Sequence, residues 1–190
     1  MLIGLAVTLV VLALLAVSNF WLYLWQISGA QGTFSMAPAL PACSGQTLVE
    51  GFTYKFRDPH RGEIVAFHAR GQIGGEITPD AHSRQLQINK RVIGVPGDTV
   101  VGRNNRLYVN GQKADDIPTR SFPAVNLGPK QYFVVGDNRS ASYDSRDFGP
   151  VPRGAIYARA ILIVWPFGRF GVPAYNKHAK PPGPLCGASP

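Results

Sequence analysis

The N-terminal segment of the chain is almost entirely apolar, and this limits what the protein can fold into more than any other feature does. Its few polar side chains between Leu2 and Leu24 are those of Thr8, Ser18, Asn19 and Tyr23. A helix of this length crosses the roughly 30 Å hydrocarbon core of a bilayer. Aromatic residues, which settle at membrane interfaces, cluster at its far end as Phe20, Trp21, Tyr23 and Trp25. The sequence therefore predicts a transmembrane anchor over residues 1–26.

A cleavable signal peptide is the alternative, because Ser28-Gly29-Ala30 offers small residues at the spacing required for cleavage after Ala30. The apolar run is longer than the usual core of a signal peptide, and no basic residue precedes it. These two features favour a permanent anchor.

The charge distribution does not decide which side of the membrane the rest of the chain occupies. No Lys or Arg precedes Lys55, so a count of positive charges would place the following domain in the cytoplasm. Long domains, however, translocate largely regardless of their charge. The chemistry described below favours the outside, and we therefore expect an extracytoplasmic domain on a single-pass anchor in the cell membrane.

Beyond the anchor the sequence alternates between short β-type runs and turn signals. The runs are Thr47 to Phe56, Glu63 to His68, Leu86 to Val95, Thr99 to Val101, Leu107 to Val109, Gln131 to Val135 and Ala155 to Trp165. No amphipathic helix of three turns appears after residue 30. These patterns predict a mostly β domain over residues 27–172, with partial sheets or a barrel. Ala69 to Arg84 is expected to be a long loop, and residues 173–190 a Pro-rich tail.

The net charge of +8 at pH 7 raises nucleic acid as a partner, but the Lys and Arg residues are dispersed and no reading helix accompanies them. An anionic lipid bilayer explains the charge more simply. No metal is expected, because the histidines are isolated and the two cysteines are too far apart for a zinc motif. No glycine-rich loop opens a helix, so no nucleotide cofactor is expected.

The run from Leu86 to Asp98 alternates as a strand until Pro96-Gly97 ends it, and it places a lysine on its apolar face. The residues that share this face with Lys90 are Leu86, Ile88 and Val92. One interpretation is a lysine at a sheet edge whose ammonium group reaches water. The other is a buried lysine whose pKa falls from about 10.4 toward 7, so that its amine can act as a general base for a nucleophile.

A third segment, Gly136 to Pro150, follows an apolar strand and is rich in hydroxyl and charged side chains. Alone it predicts a polar turn, because Asp-Asn dipeptides tolerate left-handed backbone and cap their own chain. The order of the motifs behind one apolar helix is more informative: Ser35-Met36-Ala37-Pro38, then Lys90 to Asp98, then Gly136 to Gly149. Together they resemble the type I signal peptidases, which are membrane-bound Ser-Lys proteases that remove signal peptides. The resemblance extends over roughly residues 1–165 and includes Glu63 to Phe67 as a further strand motif.

The resemblance implies a mostly antiparallel β-domain and assigns roles to particular side chains. Ser35 matches the nucleophile and Lys90 the general base. Thr33 matches the residue whose hydroxyl, with the backbone N–H of Ser35, supports the oxyanion. Ser142 matches the serine that orients the lysine. The residues expected to support the site structurally are Arg91, Asp137, Asp144 and Arg146.

The function implied by the resemblance is cleavage of signal peptides from exported preproteins after small residues in an Ala-x-Ala pattern. A related peptidase that matures conjugative pilins is one alternative, although Gly136-Asp137-Asn138-Arg139 favours the general enzyme. Self-cleaving repressors share the Ser-Lys chemistry but carry a DNA-reading domain where this chain has its apolar segment. A catalytically silent membrane-anchored β-domain that binds exported proteins is the alternative from another class.

Cys43 and Cys186 are the only cysteines, and the resemblance gives them no role. An even number of cysteines outside the cytoplasm suggests a disulfide, which would tie the Pro-rich tail to the segment after Ser35. Two unrelated thiols are the alternative, and the sequence leaves this choice open.

Overall fold

The computed structural model of the chain describes residues 7–15, 17, 25–29, 34–41, 45–69 and 86–174. Residues 7–15 and 17 have helical backbone. Within the described residues, no helix combines the length and the apolar character needed to cross a membrane. The anchor predicted for residues 1–26 lies partly outside the described residues, as do nearly all of the predicted Ala69 to Arg84 loop and most of the tail. These three expectations therefore stay predictions.

Strands make up most of the regular structure. They are β1 Trp25–Gly29, β2 Gln46–Glu50, β3 Ile64–Ala69, β4 Leu86–Gly94, β5 Thr99–Arg103, β6 Arg106–Val109, β7 Gln112–Lys113, β8 Phe122–Asn126, β9 Gln131–Val135, β10 Val151–Pro152 and β11 Ile156–Trp165. After residue 30, helical structure in the described ranges consists of one short α-helix, Ser145–Phe148, and the 3-10 turns Thr53–Lys55, Arg139–Ala141, Arg153–Ala155 and Phe167–Arg169.

The strands form a larger and a smaller antiparallel sheet. The larger sheet has the order β1-β2-β11-β3-β4-β9-β10, and the smaller has the order β7-β6-β5-β8. Every pairing of neighbouring strands is antiparallel. The predicted mostly β, antiparallel fold is confirmed for this part of the chain.

Several elements differ from the sequence-based expectation. β2 ends at Glu50, before the predicted end at Phe56, because the Glu50 carboxylate accepts the Thr53 N–H at 3.0 Å and a 3-10 turn follows. Strands β1, β7, β8 and β10 were not predicted. β7 and β10 contain two residues each, which is too short for an alternating pattern. β8 contains Pro123, which is tolerated because this strand lies at a sheet edge.

Strands β4 and β9 lie between the two main hydrophobic clusters of the domain. Val92 and Val134 pack into the first cluster, whereas Ile93 and Val135 pack into the second, which also contains buried residues of the smaller sheet. Because successive side chains of a strand point to opposite faces, each strand contributes to both clusters. β4, which carries Lys90, is therefore held on both faces and is paired with β3 and β9 at its edges.

Candidate active site

The segment that carries Ser35 folds as a series of turns and is anchored by its own apolar side chains. The N–H of Ala37 donates to the carbonyl of Phe34 at 3.0 Å, and that of Leu40 donates to Met36 at 2.9 Å. The side chains that attach the segment to the larger sheet are Met36, Ala39 and Leu40, packed with Ile64 and Ile163. Ser35 is buried as a result, with 7% of its surface exposed. Its backbone is thereby fixed against the sheet.

Lys90 reaches Ser35 from the middle of the larger sheet. Its Nζ lies 2.6 Å from Oγ of Ser35, within hydrogen-bonding distance, and the side chain is only 4% exposed. Lys90 lies opposite Val65 in the register of β3 and β4. The structure thus excludes the interpretation of a lysine at a sheet edge, because β4 is an interior strand and the amine is enclosed.

Burial lowers the pKa of the Lys90 amine to about 8. The nearby carboxylates of Asp144 and Asp137 act in the opposite direction, and the Arg146 guanidinium adds to the lowering. Desolvation is the largest of these causes because the charged form of an amine loses its hydration in an apolar site. At pH 7 about a tenth of the amine is therefore neutral and able to accept a proton, and this fraction rises with pH.

Ser142, Asp144 and Arg146 form a hydrogen-bonded group near Ser35 and Lys90. The Ser142 hydroxyl donates to Oδ2 of Asp144 at 2.7 Å, and Nε and Nη2 of Arg146 each donate to the same carboxylate at 2.7 Å. Asp144 and Arg146 are almost completely buried. Burial raises the pKa of Asp144, but the bonds from Arg146, Ser142 and the Gly136 N–H outweigh it, so the pKa lies below its ordinary value.

Asp144 also begins the helix Ser145–Phe148. Its side chain accepts the Arg146 N–H, and the Asp147 side chain accepts the Asp144 N–H, which completes a capping box. The Asp144 carboxylate therefore bonds the helix start, the Ser142 hydroxyl and the N–H of Gly136, which it accepts at 2.9 Å. It fixes the geometry of the segment.

Arg91 and Asp137 form a second buried pair. Nε of Arg91 donates to Oδ1 of Asp137 at 2.8 Å, and Nη2 donates to Oδ2 at 2.6 Å, so the contact is bidentate. The side chains are 2% and 3% exposed. Since Arg91 follows Lys90 on β4 and Asp137 follows Gly136, the pair joins the strand of the lysine to the polar segment after β9.

The structure describes most of the side chains that the sequence singled out. Ser35 and Lys90 are in contact, and Arg91 pairs with Asp137. The Ser142 hydroxyl donates to Asp144, and the amine of Lys90 is hydrogen-bonded to Ser35. Thr33 lies outside the described residues, and so do Cys43 and Cys186; their predicted roles are untested.

Sequence reasoning missed the backbone contacts that hold Ser35. The N–H of Asn138 donates to the carbonyl of Ser35 at 3.0 Å. A Cβ on Gly136 would overlap both the Ser142 hydroxyl and the Ser35 carbonyl, so only glycine fits there. Arg139, which is buried and bonds Asp115, Thr119 and Gly136, was also missed. The motif Gly136-Asp137-Asn138-Arg139 could have indicated a role for Arg139, because this arginine directly follows a turn dipeptide.

Comparison with known protein families and sequences finds relatives of this chain. The profile described as "Signal peptidase, peptidase S26" matches residues 2–165. A probable signal peptidase I-2 of Synechocystis sp. is 38% identical over 143 residues, covering 73% of this chain and 62% of that protein. The signal peptidase I of Leptolyngbya laminosa is 37% identical over 142 residues, covering 72% of this chain and 68% of that protein.

More distant matches include the signal peptidase IB of Staphylococcus aureus, 34% identical over 141 residues, covering 62% of this chain and 66% of that protein. A crystal structure of a signal peptidase I from Enterococcus faecalis is 27% identical, covers 54% of this chain and 97% of that chain, and superimposes with a TM-score of 0.42. The chain spans less than two thirds of the length of the Synechocystis and Staphylococcus relatives. The profile match and the identities show that the chain belongs to the signal peptidase family S26.

Proposed function

We propose that this protein is a membrane-bound serine endopeptidase that cleaves signal peptides from exported preproteins, using Ser35 and Lys90 as a catalytic dyad. The observation that carries the proposal is the 2.6 Å contact between a buried amine and a buried hydroxyl. A serine hydroxyl is a weak nucleophile until a neighbouring base accepts its proton, and a neutral amine can be that base. Membership of the signal peptidase family supports the substrate class.

The proposed reaction proceeds in two acyl-transfer steps. The Ser35 oxygen attacks the carbonyl of the scissile peptide bond while the Lys90 amine accepts the hydroxyl proton. The lysine then gives this proton to the leaving amine, and an ester forms between the preprotein's signal peptide and Ser35. In the second step Lys90 accepts a proton from water, the resulting hydroxide attacks the ester, and the proton returns to the oxygen of Ser35.

The tetrahedral intermediates carry a negative oxygen that requires hydrogen-bond donors. We assign the backbone N–H of Ser35 and the hydroxyl of Thr33 to this role, each contributing about 3 kcal/mol. The fixed backbone of Ser35, held by the Asn138 N–H and by the packing of Met36, supports the first assignment. The Ser142 hydroxyl is assigned to orient the amine of Lys90. Because it donates its proton to Asp144, its oxygen is left to accept a hydrogen from that amine.

The proposed preference for small residues before the cleavage site rests on the apolar surroundings of the dyad. Met36, Ala37 and Leu40, which follow Ser35 within five residues, are each buried. We propose that apolar surface of this kind accepts small side chains before the cleavage site, in agreement with an Ala-x-Ala pattern.

We further propose that residues 1–26 anchor the chain in a membrane and that the domain is extracytoplasmic, where signal peptides emerge. β1 follows the apolar segment directly, and exposed aromatic residues flank it. Trp25 lies opposite Glu50, two residues before Phe52, and Gly29 lies opposite Gln46, which pairs with Trp165. The exposed aromatic side chains are Phe52, Phe56, Trp165, Phe167 and Phe170. Aromatic residues at both ends of β1 suit a membrane interface. Flotation with liposomes should retain the full chain and lose a chain that starts at Trp25; equal flotation would contradict the anchor.

Cleavage of a purified preprotein by the detergent-solubilised full chain tests the function. We expect one cut after an Ala-x-Ala sequence, located by sequencing the new N-terminus. A matched preprotein with leucine in place of the last alanine should be cut at least about tenfold more slowly, because one side chain changes pocket fit by roughly 1–3 kcal/mol. Preference for a pilin precursor would favour the conjugative enzyme, and binding without cleavage would favour a silent binding domain.

Activity should rise with pH, because only the neutral form of Lys90 accepts the proton of Ser35. With the pKa of Lys90 lowered to about 8 by burial, the acidic limb of kcat/KM should have its midpoint near that pH. Measurement of kcat/KM between about pH 6 and 10.5 at constant ionic strength checks this midpoint. A midpoint near 10 would mean that the amine is hydrated and that the proposed base is misassigned.

A further inference from the structure

We propose that the segment Asp115–Arg120, which joins β7 to β8 of the smaller sheet, positions the nucleophile from a distance, with Asp115 and Thr119 acting as positioning residues through Arg139. The inference rests on the proposed peptidase function and adds to it a role for the smaller sheet. The buried ion pair between Asp115 and Arg139 has no part in the proposed chemistry.

The Arg139 guanidinium binds groups from both parts of the domain. Its Nη2 donates to Oδ2 of Asp115 at 2.6 Å, its Nη1 donates to Oγ1 of Thr119 at 2.9 Å, and its Nε donates to the Gly136 carbonyl at 3.0 Å. The side chains of Arg139 and Asp115 are 1% and 0% exposed. The smaller sheet therefore reaches the backbone of Gly136 through one planar group.

From Gly136 the contacts continue to the nucleophile. Asn138, two residues after Gly136, donates its N–H to the Ser35 carbonyl at 3.0 Å. The space at Gly136 is closed by that same carbonyl and by the Ser142 hydroxyl. A shift of the Gly136–Asn138 turn must therefore move the Ser35 backbone and change its 2.6 Å contact with Lys90.

The segment Asp115–Arg120 also contacts the loop after β9, which carries Ser142, through Asp147. The Arg120 guanidinium forms an ion pair with Oδ1 of Asp147, whose other oxygen accepts the Asp144 N–H at 3.0 Å. Within the segment, Oδ1 of Asp115 accepts the N–H of the buried Ile117 at 3.0 Å. The segment is thus fixed internally and contacts both ends of the loop that carries Ser142.

Geometry, rather than stability, is what this arrangement provides. Replacing a buried ion pair by apolar residues of similar size is often neutral or stabilising, so such a pair is weak evidence for stability. A guanidinium, however, is a planar fork that donates to several acceptors in fixed directions, which an ammonium group does not do. Three acceptors use that fork here, two on the segment Asp115–Arg120 and one at the Gly136 carbonyl. We infer that it sets the position of the turn that bonds Ser35.

Measuring both kcat and the melting temperature distinguishes a role in positioning Ser35 from a role in stability. In the full-length chain, Asp115→Leu combined with Arg139→Met removes both charges together. We expect a melting temperature close to that of the wild type, kcat lowered by about ten- to a hundredfold and KM within about twofold, since a small misplacement of reacting groups acts on the chemical step. Arg139→Lys, which keeps the charge but not the fork, should lower kcat similarly.

A milder variant and a control accompany these. Thr119→Val removes one acceptor of Arg139 without changing charge and should lower kcat by about threefold or more. Asp116→Asn is the control: Asp116 is a carboxylate of the same segment, pairs with Lys113 at the surface, and should leave kcat unchanged.

Hydrogen exchange supplies a measurement that does not depend on cleavage. Exchange of the Asn138 amide should be slow in the wild type and at least about tenfold faster in the double variant and in Thr119→Val. Wild-type exchange and wild-type kcat in the folded double variant, or a raised KM with unchanged kcat, would overturn the inference. If the wild-type chain cleaves no preprotein, the proposed function fails instead, and the exchange rates still decide whether the segment holds Ser35.

Discussion

Replacing Lys90 by methionine should lower preprotein cleavage by at least about a thousandfold while the domain stays folded. Methionine has a similar length and an apolar end, so it fits a site in which the lysine is only 4% exposed. It has no group that accepts the Ser35 proton. Steady-state cleavage together with a thermal melt of the same sample measures both parts of the expectation.

Ser35→Ala should be inactive to a similar degree, and combining the two substitutions should reduce activity little further. Residues that act as one unit give strongly non-additive losses, because each single variant already removes the whole contribution. A Lys90→Met variant that cleaves within about tenfold of the wild type would contradict the dyad. So would a double variant whose loss equals the product of the two single losses.

The same substitution should raise stability. Burial lowers the pKa of Lys90 to about 8 in the folded chain, whereas an exposed lysine titrates near 10.4. Between these values the unfolded chain binds more protons than the folded chain, so wild-type stability rises with pH across this window. Below about pH 8 the full cost of holding a charged amine in the site is present, roughly 3 kcal/mol. Lys90→Met lacks this cost and should therefore melt at a higher temperature at pH 7, less any contribution from the lost bond to Ser35.

The second large effect is expected at Gly136, where alanine should lower kcat by at least about a hundredfold. A Cβ there overlaps the Ser35 carbonyl, which is backbone, and the Ser142 hydroxyl, so the turn must move. Displacing the nucleophile by about 1 Å is enough for a loss of this size. Pre-steady-state measurement of the acylation step reports the effect directly.

Gly154→Ala is the matched control, because a Cβ at Gly154 meets no atom within 4 Å. It should retain wild-type kcat and a wild-type melting temperature. A Gly136→Ala variant with wild-type kcat would show that the turn can yield without disturbing Ser35, and it would also weaken the role inferred for Arg139.

The sequence predicted the elements whose side chains follow a regular period. The alternation from Leu86 onward placed Lys90 on the Val92 face of a strand, and the structure shows that strand in the interior of the larger sheet. Pro96-Gly97 gave the end of β4 to within a few residues. β1 and β8 were missed because Gly, Ser and Pro in them are typical of connectors, and only pairing with β2 and β5 makes them strands.

The candidate site was predictable where a motif carried it and not where contacts between distant segments do. Ser35 and Lys90 came from motifs of a known family. The bond from Asn138 to Ser35 and the ion pair of Asp115 with Arg139 join segments that no local pattern connects. Backbone hydrogen bonds of this kind depend on how the sheets pack, which is a property of the folded chain and not of any short stretch of it.

The position of β11 affects when Ser35 and Lys90 can come together during synthesis. β11 is the last strand in the described part of the chain, yet it lies between β2 and β3 in the larger sheet. Ile163 of this strand is also one of the residues against which Met36 and Leu40 pack. During synthesis, Ser35 and Lys90 are made long before the strand that joins β2 to β3, and such long-range pairing is slow to form. We therefore expect a nascent chain to carry Ser35 and Lys90 unassembled, and we expect the proposed activity only after Trp165 has been added.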